Sequence, residues 1–133
     1  MINRLADQGI DAIFMPNESS TNGMLNVLKS EGLAKKVILV GFDYSEPLRQ
    51  ALLDGEVHGL IVQDPYRMGY LGVWSLVHHL EGYDVTAQGK TVSTGEYLIT
   101  KENVDKKSTL ELFDPEYQAK RQIDVPKYPK KAD

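Results

Sequence analysis

Three polar side chains stand just beyond three short apolar runs. Asn17 follows Asp11-Ala12-Ile13-Phe14-Met15, Asp43 follows Val37-Ile38-Leu39-Val40-Gly41, and Gln63 follows Gly59-Leu60-Ile61-Val62. An amide, a carboxylate and a second amide can donate to and accept from hydroxyl groups, which is the chemistry a neutral polyol needs. Hydrogen bonds to a carboxylate are strong, about 1.5–3 kcal/mol each. Several of them, with apolar contact from Phe42, reach about −8 kcal/mol, a micromolar dissociation constant. Each residue also has a purely structural reading: Asn17 as a turn residue, Asp43 as the cap of the helix that follows, Gln63 as a solvated strand end.

Other combinations carry less chemistry. His58, His78 and His79 do not form a metal set, because adjacent histidines diverge on a helix and no acidic residue stands four positions after any of them. Glu96 and Asp43 are the right types for an acid/base pair, but nothing in the order of the chain brings them together. Ser19-Ser20 lacks the setting of a nucleophile elbow and reads as a helix cap. No glycine-rich phosphate loop is present. The sequence therefore predicts no catalytic residue, no metal site and no cofactor.

The elements that must position these residues alternate. Residues 2–8 read as the end of an amphipathic helix stopped at Gly9. The apolar runs have strand length, and the β-branched run 37–41 has the composition of a strand covered on both faces of a parallel sheet. Between them, helices are predicted over residues 21–30 and 46–54, with Pro47 in a first turn where its missing N–H costs little. Asp64-Pro65 breaks the chain. A long helix then runs over residues 66–80, with Val73, Leu76, Val77 and Leu80 on one face. Gly69 and Gly72 thin its first turns and suit close packing. Trp74 and the tyrosines read as core or interface. Tyr97-Leu98-Ile99 is the last expected strand. Residues 114–133 are polar, contain Pro115, Pro126 and Pro129, and read as an extended or disordered tail whose lysines and arginine are solvated. The strand–helix alternation predicts an α/β fold, a Rossmann-like parallel sheet with flanking helices and right-handed crossovers. In such a sheet, ligands bind beyond the carboxyl ends of the strands.

Composition narrows the class. The chain has 133 residues, 41% apolar and 26% charged, with a formal net charge of −4. That is ordinary for a globular domain and gives nucleic acid no basic surface to meet. With no cysteine, disulfides and thiolate metal sites are excluded. No apolar run approaches the length of a membrane span. The first residues lack the pattern of an export signal, and the chain opens partway through a helix, so a larger fold is expected.

Three stretches together resemble the type I periplasmic sugar-binding proteins of ABC transporters, of the ribose-binding kind. They are Asp11-Ala12-Ile13-Phe14 with Pro16-Asn17-Glu18, then Val40-Gly41-Phe42-Asp43, then Gln63-Asp64-Pro65 leading to Met68-Gly69-Tyr70-Leu71-Gly72-Val73. A fourth, Thr94-Gly95 with Leu98-Ile99-Thr100-Lys101-Glu102-Asn103-Val104, is similar to that family's C-terminal signature. The resemblance covers about residues 1–105 and implies the C-terminal half only. It implies two Rossmann-like lobes on a three-stranded hinge, with a monosaccharide closed between them. Residues 1–63 would belong to the C-terminal lobe. Residues 64–95 would form a hinge crossing and a helix of the other lobe, residues 96–113 the return, and residues 114–133 the tail. Asn17, Asp43 and Gln63 would bond the sugar, and Phe42 would line the site.

The implied partners are a membrane permease and its ATPase, and the implied place is the periplasm or the outer face as a lipoprotein. Two features depart from the family: the sheet of the other lobe is absent, and Pro16-Asn17-Glu18-Ser19-Ser20 is not its commonest loop. The chain alone is expected to bind sugar weakly or not at all, and to self-associate through the 66–80 helix. The nearest alternative is the effector-binding domain of a lactose-repressor-like regulator. A sugar hydrolase or isomerase using Asp43, and a sensor module signalling to a membrane partner, are further alternatives.

Overall fold

The computed structural model describes residues 9–87, 89 and 91–131. The helix expected over residues 2–8 lies outside them. In chain order the elements are β1 (Ala12–Phe14), α1 (Glu18–Ser30), β2 (Ile38–Phe42), α2 (Glu46–Leu53), β3 (Gly59–Gln63), α3 (Pro65–Leu80), β4 (Glu96–Ile99), α4 (Lys107–Phe113) and α5 (Pro115–Lys120). The strands form one sheet in the order β1-β2-β3-β4, with β1–β2 and β2–β3 parallel. This is the α/β architecture that the alternation predicts: a mostly parallel open sheet with flanking helices. No helix among the described residues is long and apolar enough to cross a membrane.

The chain divides into two compact units: residues 1–62 with 97–110, and residues 63–96 with 111–133. It therefore passes between them three times.

In the first unit, Leu25 and Leu28 of α1, Leu48, Ala51 and Leu52 of α2, Leu39 and Leu60 of the sheet, and Ile99 and Val104 are buried together with Val37, Val57 and Val62. The apolar stripes at three- and four-residue spacing are the ones that periodicity picks out. Gly32, at φ 65°, ends α1, and Leu33 N–H returns to the Leu28 carbonyl at 2.8 Å. Glycine reaches that backbone region without a Cβ penalty. The β2 strand departs from expectation. Leu39 and Gly41 are buried, but Ile38 is exposed and Val40 and Phe42 are only half-buried. A parallel strand alternates its side chains, and among the described residues only the Leu39 side is closed.

In the second unit, Asp64 caps α3 and Pro65 occupies its first turn. The apolar face of Val73, Leu76, Val77 and Leu80 is not buried among the described residues. Leu71 is the one buried residue of α3, while Val73, Trp74, Leu76 and Leu80 are exposed, and nothing described lies within 4 Å of a Cβ placed on Gly69 or Gly72.

The C-terminal segment carries no helix or strand over residues 121–129, but it opens with a helix. Asp114 caps α5, accepting from Glu116 N–H at 2.8 Å and Tyr117 N–H at 3.2 Å. Pro115 stands at the start of that helix, where proline fits. Farther on, Tyr128 is buried, with its ring 5.5 Å from His78. His78 also meets Trp74 at 5.6 Å and Tyr83 at 5.3 Å. Asp84 N–H donates to the Pro129 carbonyl at 2.8 Å, and Lys131 N–H donates to the Gly82 carbonyl at 2.9 Å. Lys130 Nζ sits 3.9 Å over the Tyr83 ring. Residues 128–131 are therefore fastened to the end of α3.

Truncating Tyr128 removes the aromatic anchor of that segment. Tyr128→Ala is expected to destabilise the second unit by on the order of 3 kcal/mol. Native-state amide exchange checks this: protection should fall at the C-terminal end of α3 and stay unchanged in β2.

Candidate functional site

The carboxyl edge of the sheet holds the residues singled out above. After β1, Met15 N–H still donates to the Val40 carbonyl at 2.9 Å, which keeps the chain in the ladder until Pro16 turns it out. Asn17 then adopts extended geometry (φ −161°, ψ 167°) and caps α1. Its Oδ1 accepts from Ser20 N–H and from Ser19 Oγ, each at 2.9 Å. An asparagine here satisfies a donor that the helix leaves without an internal partner. Its Nδ2 makes no hydrogen bond among the described residues. The structural reading of Asn17 is thus realised by its oxygen, and its amide nitrogen is left as a donor.

At the end of β2, Phe42 closes the strand and Asp43 follows in the left-handed region, at φ 65°. Aspartate tolerates this geometry better than bulky or branched residues. Asp43 N–H continues the ladder by donating to the Ile61 carbonyl at 2.8 Å, so its backbone is held while its carboxylate has no partner among the described residues. The capping alternative for Asp43 is not what occurs. Ser45 is the N-cap of α2, and its hydroxyl makes no cap bond and is buried without a partner. Beside it, burial pushes the Tyr44 hydroxyl above its usual range; Glu46 and Asp105 add to this and Arg49 opposes it. Arg49 itself is paired with Asp105 and with Glu46, the latter at 3.1 Å, which fixes α2 to the loop after β4.

Two residues that the sequence did not single out join these pieces. The Thr21 hydroxyl donates to the Asn17 carbonyl at 2.7 Å and accepts from Phe42 N–H at 3.2 Å. Thr21 is fully buried. It approaches β2 so closely that a Cβ on Gly41 would stand 2.2 Å from Thr21 Cγ2 and 2.8 Å from Thr21 Oγ1. Gly41 is therefore the space that Thr21 fills. A glycine inside an otherwise β-branched strand marks such close approaches, and that was the available signal. Thr21 gives a weaker one, as a threonine on the inward side of a first helical turn.

Gln63 ends β3 and is exposed, with no hydrogen bond from its side chain among the described residues. Register puts the strand ends level. Phe14 pairs with Val40, and Val40 with Gly59. Asn17 and Asp43 each lie three positions beyond that row, and Gln63 lies four. Adjacent strands are about 4.8 Å apart, so Asn17 and Asp43 leave neighbouring strands at nearly the same height.

Among the other residues considered, His58 accepts from Leu39 N–H through Nδ1 at 3.2 Å and belongs to the sheet's own bonding. Among the described residues no group of three or more histidines and carboxylates gathers as a metal site.

Gly41→Ala is expected to destabilise the first unit by about 1–3 kcal/mol through overpacking against Thr21. Adding Thr21→Ser to that variant should recover part of the loss. Thermal unfolding of the two variants reads both outcomes.

A family model described as the periplasmic binding protein domain matches residues 1–84. A ribose import binding protein of Haemophilus influenzae is 36% identical over 87 residues, 65% of this chain and 29% of that protein. A carbohydrate transporter solute-binding protein from Agrobacterium radiobacter, solved with D-arabinose, superposes with a TM-score of 0.67 at 31% identity; the match covers 83% of this chain and 36% of that one. An ABC transporter solute-binding protein from Agrobacterium vitis, solved with α-D-tagatopyranose, superposes with a TM-score of 0.72 at 26% identity, covering 81% and 35%. The names of these three describe transport and binding proteins, not enzymes. The chain spans 29% to 36% of their length. With the model matched across most of its residues and the sheet edge built as described, the chain belongs to the periplasmic binding protein domain family.

Proposed function

We propose that this chain is the sugar-holding C-terminal part of the substrate-binding component of an ABC-type sugar transporter, acting outside the cytoplasm and delivering a monosaccharide to a membrane permease. The observation that carries the reading is Asp43: a carboxylate without a partner among the described residues, on a left-handed backbone that the sheet itself holds. In the proposed complex Asp43 accepts from two sugar hydroxyls. Asn17 donates through Nδ2, Gln63 donates and accepts, and Phe42 offers apolar contact to the ring. Relatives solved with an arabinose and a tagatopyranose support a monosaccharide as the guest, and their transporter names favour a receptor over a repressor. The proposal assigns Asp43 a binding role and no part in hydrolysis of the guest.

Four residues supply only some of the contacts that a polyhydroxy guest offers. The chain alone is therefore expected to bind D-ribose, D-xylose, D-glucose or D-galactose with a dissociation constant above about 1 mM, weaker than about −4 kcal/mol. In an NMR titration the responding resonances should be those of Asn17, Phe42, Asp43 and Gln63, and Asp43→Asn should abolish the response. Submillimolar binding would contradict the idea that much of the grip lies elsewhere. No response to any of the four sugars would contradict the reading as a whole.

The exposed Val73, Trp74, Leu76 and Leu80 of α3 support a second element of the proposal, self-association of this chain through the 66–80 helix. Sedimentation should show dimers or larger species that Leu76→Lys disperses; a monomer at every concentration would end that idea.

A further inference from the structure

The ion pair between Asp64 and Arg121 joins the start of α3 to the end of α5. Asp64 is the residue directly after Gln63. Its side chain is 2% exposed and both of its oxygens are engaged. Oδ1 accepts from Arg67 N–H at 2.9 Å and caps α3, while Oδ2 accepts from Arg121 Nη2 at 2.6 Å. The Arg121 side chain is itself only 19% exposed. It is the C-cap residue of α5, whose Gln118 is buried and donates through Nε2 to the Glu111 carbonyl at 2.8 Å. Both partners lie in the same compact unit.

A buried carboxylate that loses its counter-charge is strongly unfavourable. Without Arg121, the Asp64 carboxylate must find another donor or turn towards water. Either change disturbs the cap of α3 and the backbone that leads out of Gln63. The side chain of Gln63, by contrast, is exposed and makes no hydrogen bond among the described residues.

We infer that Arg121 is a positioning residue for ligand binding: through Asp64 it fixes the strand-to-helix junction that presents Gln63. This inference rests on the reading of Gln63 as a sugar contact. It gives Arg121 a role in affinity that requires no contact between Arg121 and the guest. Arg121 meets Asp64 through one nitrogen, Nη2, so a lysine can supply much of the same charge-assisted bond, whereas glutamine cannot supply the charge.

The test uses the complete 133-residue chain, ¹⁵N-labelled, as wild type, Arg121→Gln, Arg121→Lys, Gln63→Ala and the double variant Gln63→Ala with Arg121→Gln. In R121Q the Arg67 amide should exchange about tenfold faster, equivalent to about 1.4 kcal/mol. The Gln63 resonances should shift, and amides of β2 should keep their protection. Titrated with D-ribose, R121Q should bind about tenfold more weakly and R121K close to wild type. The double variant should bind no more weakly than Gln63→Ala alone, since residues acting through one another are not additive.

Wild-type behaviour of Gln63 and Arg67 in R121Q overturns the inference whatever the sugar does. Additive losses in the double variant also overturn it, because Arg121 would then act by another route. A wild-type chain that ignores sugar sinks the binding reading separately, and with it the claim that Arg121 tunes affinity. The exchange and resonance measurements still decide whether Arg121 positions Gln63.

Discussion

One buried hydroxyl ties the candidate site together. Thr21 donates to the carbonyl of Asn17 and accepts from the amide of Phe42, so the loop after β1 and the end of β2 share a single side chain. The arrangement depends on Gly41, because any larger residue would occupy the volume of the threonine methyl. A buried hydroxyl without its partners would be costly, and with both engaged it fixes geometry. The relative placement of Asn17 and Asp43 is therefore a property of the packed core, not of two independent loops. That is the kind of support a binding constellation requires if its polar groups are to hold their positions without a guest.

The same economy runs through the strand ends. At Asn17, one atom of the side chain serves the helix and another stays uncommitted. At Asp43, the backbone completes the ladder to Ile61 while the carboxylate is left over. In each case the structural role is carried by a different atom from the proposed functional one. The cap or turn readings and the binding readings of these residues are thus not competitors. At Asp43, moreover, the cap reading fails outright, since Ser45 begins α2.

Much of this was legible from residue order. The alternation of apolar runs and amphipathic stretches placed β1 to β4 and α1 to α3 within a few residues, because runs of strand length and apolar residues at helical spacing mark such elements whatever covers them. That Asn17, Asp43 and Gln63 stand at or just after the ends of β1, β2 and β3 was legible too. Three kinds of feature were not. The Thr21–Gly41 fit depends on packing between elements, which no local pattern encodes. The Asp64–Arg121 pair joins positions 57 residues apart, and the charged composition around Arg121 masked it. The short helices α4 and α5 lack an apolar stripe, and Pro115 read as a breaker although it begins a helix. At α3 periodicity marked an apolar face that the described residues leave open.

The account turns on where a sugar sits. A crystal of this chain soaked in D-ribose should show the guest at the carboxyl edge of the sheet, with hydroxyls within hydrogen-bond distance of the Asp43 carboxylate and Asn17 Nδ2. Sugar density against the aromatic face of α3, with Asp43 left in water, would contradict it.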